Sequence, residues 1–192
     1  PENVYEFLET VRSFTENEYT PALFKGDRLP ENEKANIASK LAYYTGTETN
    51  YWLKADLRVT ASEFFAEFLR DKGEIVGRLD SRFTGINEDL LSQEGSHDPQ
   101  SSAISPAYIS GFLDYFYGDL KVNKNLLYSI TAGRRDGFKW DWSHKGNERW
   151  GASAAINTGI DMATALSRDP NMKVLILNGI YDIATVFYGV EH

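Results

Sequence analysis

Apolar residues recur at helical spacing from the start of the chain, where Val4, Phe7, Leu8, Val11 and Phe14 predict a first helix over about residues 3 to 17. Thr20-Pro21 and Leu29-Pro30 each put a proline where a helix can begin. From Pro30, residues Ile37, Leu41 and Tyr44 share one face, and Gly46 supplies a left-handed stop. Thr60 and Glu63 form a capping box ahead of Phe64, Phe65, Phe68 and Leu69, and Gly73 closes that helix. The period then changes. Ile75, Val76, Leu79 and Phe83, with Gly77 and Gly85 among them, predict a short extended pair, a small β-hairpin near residues 74 to 85.

The serine-rich stretch Ser92 to Ser105 reads as an exposed, mobile loop ending at Ser105-Pro106. Beyond it Tyr108, Ile109, Phe112, Leu113, Phe116, Tyr117 and Leu120 make a broad apolar stripe, the pattern of a substantially buried helix. An Ala-rich helix is expected over Asn147 to Leu166, ending before Arg168-Asp169-Pro170. The last stretch differs in kind. Val174 to Leu177 is a continuous apolar run followed by Asn178-Gly179, the pattern of a strand covered on both faces of a mostly parallel sheet. The fold class expected is therefore mainly α (α+β): a helical body over residues 1–170 carrying a hairpin, then the beginning of an α/β region over 171–192.

Composition narrows the functions open to such a chain. Its 192 residues contain 20 basic and 28 acidic side chains, a net charge of -8, so a phosphate backbone meets repulsion and no nucleic-acid partner is expected. No apolar run approaches the roughly 18 residues of a membrane-spanning helix. With no cysteine there is no thiolate nucleophile, no disulfide framework and no sulfur-ligated metal. Pro1 to Glu9 show neither an initiator methionine nor a leader pattern, which reads as a trimmed or excised chain.

The most specific stretch is KVLILNGIYDIATVFYGVEH, residues 173 to 192, with the turn Gly179-Ile180-Tyr181-Asp182. It resembles the late strand and following turn of the serine carboxypeptidase family, within the α/β-hydrolase fold, where a Gly-x-x-Asp turn presents the acid of a Ser-Asp-His triad. GEIVGRLDSRFTG, residues 73 to 85, and SHDPQSSAISPAY, ending at Tyr108, resemble the helical lid, or cap, that bacterial members insert before that strand. The resemblance implies a lid domain over 1–170 and a fragment of the hydrolase core over 171–192. It further implies hydrolysis of C-terminal peptide bonds, a peptide substrate in the parent enzyme, and Asp182 as triad acid. It implies neither a cofactor nor a metal; substrate-binding residues are not identified, and the family suggests a secreted or periplasmic parent. An unpaired strand would leave its edge open to a second copy, a homodimer through residues 174–182.

The family's other two catalytic groups have no counterpart. No Gly-x-Ser-x-Gly elbow occurs, and Gly151-Ala152-Ser153-Ala154-Ala155 lacks the second glycine and follows Trp150 rather than a strand, so Ser153 reads as a small helix residue. His192 lies only ten residues past Asp182, too close for the triad base. His97 and His144 have no partner at metal-ligand spacing and read as surface residues. Arg134-Arg135 beside Asp136 reads as a surface ion pair, with an anion-binding loop as the alternative, and Arg78, Asp80 and Arg82 alternate as an ion-pair ladder along one face of the hairpin, with a lid surface that contacts substrate or the core domain as the alternative. Trp140, Trp142 and Trp150, interleaved with Lys139, Lys145 and Arg149, read as aromatic packing, with stacking on a ligand as the functional alternative. A reading from another class is a non-catalytic helical module that binds protein or carbohydrate through its aromatic or acidic surface.

Overall fold

Asn3 opens the first helix by accepting the Tyr5 amide on its Oδ1 at 3.0 Å, leaving the chain to run helical from Val4. The computed structural model describes residues 3–126, 128–131, 137–139 and 158–191. Helix α1 (Val4–Phe14) passes through a π-helical turn (Thr15–Tyr19) into α2 (Thr20–Lys25), whose first turn contains Pro21. Residues five apart diverge on an α-helix, but a π-turn realigns them. Phe14 and Tyr19 accordingly stack, with ring centroids 6.2 Å apart. The Tyr19 hydroxyl can then donate to the Leu57 carbonyl at 2.6 Å.

Helix α3 (Glu31–Thr45) starts after Pro30 and stops at Gly46, which takes a left-handed φ of 70°. Its face buries Ile37, Ala38, Leu41 and Ala42. A short helix that the periodicity does not predict, α4 (Thr49–Lys54), packs across it and buries Trp52. These residues, with Phe14, Ala22 and Leu57, form one apolar core, and the Trp52 indole satisfies its single donor on Thr47 Oγ1 at 2.8 Å.

Tyr51, next to Trp52, is less well served. Its hydroxyl is buried without a hydrogen-bond partner among the described residues. Burial first, then the Glu67 and Glu63 carboxylates, push its pKa up to about 12 from 10.0. A raised folded-state pKa gives a contribution that is complete below pH 10 and lost as pH rises toward about 12. Tyr51→Phe removes both the orphan donor and the titration. We expect it to raise stability by about 1 kcal/mol at neutral pH. Its advantage should widen between pH 10 and about 12 in thermal melts.

The capping box forms as the sequence predicts, with the Thr60 side chain on the Glu63 amide and Glu63 on the Thr60 amide. Helix α5 (Ala61–Glu67) ends before Phe68, and a 3-10 turn (Arg70–Lys72) reaches the left-handed Gly73. The predicted hairpin follows as β1 (Glu74–Val76) and β2 (Thr84–Ile86), antiparallel, with Ile75 opposite Gly85. Ile75 and Val76 are both buried although adjacent, so both faces of β1 are covered, and Ala66 of α5 is buried with them. Among the described residues the architecture is mainly helical with one small two-stranded sheet, as the patterning indicates.

Three sequence expectations are corrected. Ser92 to Ser105 is not all loop, because α6 (Pro99–Asp114) begins inside it and runs through Pro106. Asp98 is the reason: its Oδ1 accepts the Gln100 amide at 2.9 Å and its Oδ2 the Ser101 hydroxyl at 3.3 Å, ahead of Pro99 in the first turn. Asp98-Pro99 thus starts the helix that Ser105-Pro106 is expected to start. Secondly, the stripe beyond Pro106 is not substantially buried, since Tyr108, Phe112 and Leu120 are exposed. Its rings turn instead to one another, Phe112 and Phe116 clustering with Tyr128 at centroid distances of 4.6 and 5.4 Å.

The third correction concerns Val174 to Leu177, which forms no strand; its four side chains are 48, 81, 59 and 83% exposed. A strand is defined by the neighbour it bonds to, and no second strand lies beside it among the described residues. Helix α7 (Gly159–Arg168) runs two residues past the expected end at Leu166, while residues 147–157 of that predicted helix lie outside the described residues. The chain divides into two units, Pro1–Ser105 with Asn178–His192, and Pro106–Leu177. No described helix is long and apolar enough to cross a membrane.

Candidate functional site

Asp182 lies in the first unit, in a turn built on its own carboxylate. Its Oδ1 accepts the Ala184 amide at 2.8 Å and the Thr185 amide at 2.9 Å, while its own amide donates to the Gly179 carbonyl at 3.2 Å. The side chain is half-buried. Oδ2 accepts no hydrogen bond among the described residues, so of the two carboxylate oxygens it is Oδ1 that the backbone fixes. Asn178 supports the turn, its Nδ2 donating to the Thr185 carbonyl at 2.9 Å.

Two neighbouring elements hold this turn. On the chain's far side the short helix α8 (Phe187–Glu191) fastens to α1 and the π-helical turn after it, with the Tyr188 hydroxyl on Glu16 Oε1 at 2.6 Å, Glu191 paired with Arg12, and the Arg12 guanidinium 5.5 Å from the Phe187 ring centre. On the other side stands the hairpin loop between β1 and β2. Ser81 donates its amide to the Tyr181 carbonyl at 2.9 Å, and the Arg78 carbonyl accepts the amides of Ile183 and Ala184 at 3.0 and 3.1 Å.

The loop corrects the ladder expected of Arg78, Asp80 and Arg82. They lie between the strands rather than along one, so alternation does not apply to them. Asp80 and Arg82 do pair, at 2.6 Å between Oδ2 and Nη2. Arg82 donates to the Asp80 carboxylate from side chain and backbone, which lowers that carboxyl's pKa to about 2. Because the group is depressed below its ordinary 3.8, whatever it contributes is complete above that pH and lost as pH falls toward about 2. Arg78 contributes its carbonyl to the turn and its amide to Asp98 Oδ1 at 3.3 Å.

His97 sits beside the same hairpin. Its Nδ1 is 3.1 Å from Ser96 Oγ and 3.9 Å from a Glu88 oxygen, and Gly85 allows Pro99 and His97 to pack close to the β2 backbone. Among the described residues no three potential ligands converge as a metal site. His144, Arg134, Arg135, Asp136, Trp140, Trp142, Trp150, Lys145, Arg149, Ser153 and His192 lie outside the described residues.

Sequence reasoning missed a second feature of this unit. A cavity of about 210 Å³ is lined by Asp27, Glu31, Lys34, Asp56 and Arg58 among others. Asp56 and Leu57 both take left-handed backbone, with φ of 52° and 62°, a strained state for side chains of these kinds. Three things hold it: Leu57 is buried, its amide donates to the Trp52 carbonyl at 2.9 Å, and Asp56 pairs with Lys34 at 2.5 Å and Arg58 at 3.0 Å. Asp56 is thereby paired within the wall, Lys34 holding its carboxyl below its usual range. No sequence signal marks consecutive left-handed residues that contain no glycine. No family model, curated protein or solved structure matches this chain.

Proposed function

We propose that the chain is the lid region and acid-bearing turn of a serine carboxypeptidase, an enzyme that hydrolyses C-terminal peptide bonds through a Ser-Asp-His triad. In this reading Asp182 is the acid, and the serine and histidine come from sequence beyond these 192 residues. A triad acid must hold the imidazole in one tautomer and stabilise the imidazolium that forms when the serine is deprotonated. For that, one oxygen must be available to the ring and the side chain must not rotate. The observation that carries the reading is the division of labour at Asp182: Oδ1 is locked by the Ala184 and Thr185 amides, and Oδ2 accepts nothing from the described residues. The exposed apolar run immediately before it, Val174 to Leu177, suits a segment whose packing partner is a larger sheet.

The helical body then narrows access to the site, and the bound peptide enters by its end. The proposed partner is a peptide substrate, and a secreted or periplasmic enzyme is the proposed setting.

The 192-residue chain by itself is expected to be inactive, since neither a nucleophile elbow nor its oxyanion-hole amides are in the sequence. Serine-reactive fluorophosphonate probes should leave it unlabelled and should label the longer enzyme at one serine. Stoichiometric labelling of the short chain would overturn the assignment, as would a longer enzyme that never labels.

A further inference from the structure

We infer that the hairpin loop Gly77–Phe83 is a clamp on the acid-bearing turn, and that Arg82 is the positioning residue through which it acts on Asp182. The role assigned to Asp182 rests on the proposed triad; the clamp itself rests on the contacts alone. Three backbone hydrogen bonds join loop to turn and bracket Asp182 on both sides, from Ser81 to Tyr181 before it and from Ile183 and Ala184 to Arg78 after it. One of these bonds is shared. The Ala184 amide donates both to the Arg78 carbonyl, at 3.1 Å, and to Asp182 Oδ1, at 2.8 Å. If the loop withdraws, the bonding of the N–H that fixes the carboxylate changes with it.

The side chains add a second tie. Arg82 lies 4.8 Å from the centre of the Tyr181 ring, the residue before Asp182. Asp80 holds the guanidinium there through Nε at 2.9 Å and Nη2 at 2.6 Å. A planar cation that is bonded along one edge and stacked on one face is a task for arginine rather than lysine. The loop is shaped to allow this. The Gly77 amide closes it on the Phe83 carbonyl at 2.8 Å, and a Cβ at Gly77 would lie 2.4 Å from the Asp80 carbonyl oxygen. Only glycine fits there without moving the residue that aims Arg82.

The test is amide exchange on the 192-residue chain carrying Arg82→Ala, a substitution at a side chain 66% exposed that leaves the core untouched. Losing a cation-π contact at an exposed site corresponds to about a two- to fivefold rise in exchange at Ser81, Ile183 and Ala184, with α3 unchanged. Arg82→Lys should fall between. Unchanged exchange at the turn overturns the clamp, and so does an equal rise across α3, which would make Arg82 a general support. In the longer enzyme Arg82→Ala should lower kcat by the same about two- to fivefold with KM unchanged. An undiminished kcat beside faster exchange overturns the positioning role. Failure of the unmodified longer enzyme to label with fluorophosphonate would instead remove the triad reading and leave the clamp standing.

Discussion

In the longer enzyme, Asp182→Asn is expected to lower kcat by on the order of 10⁴-fold while leaving the fold intact. Both halves of that expectation follow from the way the turn uses its two oxygens. An asparagine amide oxygen can still accept the Ala184 and Thr185 amides that Oδ1 now accepts, so the turn closes as before. The amide nitrogen then stands where Oδ2 was. It donates where an acceptor is required, and the histidine is left in the wrong tautomer with its developing charge unopposed. Thermal melts should move little, and KM should stay close to that of the unmodified enzyme while turnover collapses. Near-normal turnover in a folded variant would reduce Asp182 to a turn residue that binds its own backbone.

The legible parts of the fold were those specified by local chemistry. Gly46 and the Thr60–Glu63 box mark helix ends because left-handed glycine and reciprocal capping depend on residues a few positions apart, whereas α5 stops at Glu67 and Gly73 closes the 3-10 turn beyond it. The hairpin was legible from the change of period after Gly73. What could not be read depended on competition or on partners distant in sequence. Asp98-Pro99 outbids Ser105-Pro106 as a helix start through side-chain bonds that a pattern of apolar residues does not register. The α4 helix exists because Trp52 needs the face of α3, and a six-residue helix has too few turns to show a period.

The candidate site divides in the same way. Asp182 stands out in the sequence by its Gly-x-x-Asp setting, but its supports do not, because Arg78, Ser81 and Arg82 reach the turn across about a hundred residues through carbonyls, amides and a ring face. Alternation suggested a ladder at these positions, whereas the chain uses them as a loop. Asp56 is a residue type that tolerates left-handed backbone, but Leu57 is not, and nothing in the sequence marks two such residues in succession.

The 192-residue chain is also expected to associate with itself through Val174 to Leu177, and Leu175→Asp should abolish this. Leu175 and Leu177 are more than four-fifths exposed, and Val174 and Ile176 about half. Fully burying side chains of this size stabilises by about 1.5–3 kcal/mol each, so the segment forgoes several kcal/mol while it faces water. Nor do the amides of residues 174–177 donate to other backbone among the described residues, so neither the apolar surface nor the backbone donors of the run have a partner there. In the proposed enzyme a parallel sheet takes up both. In the short chain a second copy of the same segment can do so, because like strands present the same spacing of donors and acceptors to each other. The chain's net charge of -8 opposes that pairing and should make it stronger at high salt. Sedimentation over a concentration series should therefore show a monomer–dimer equilibrium that salt favours. Leu175→Asp puts a charge at the centre of the pairing surface and should leave a monomer at every concentration. Amide exchange across 174–182 should slow with concentration in the unmodified chain alone. Rapid, concentration-independent exchange in both would show that the segment neither pairs nor docks.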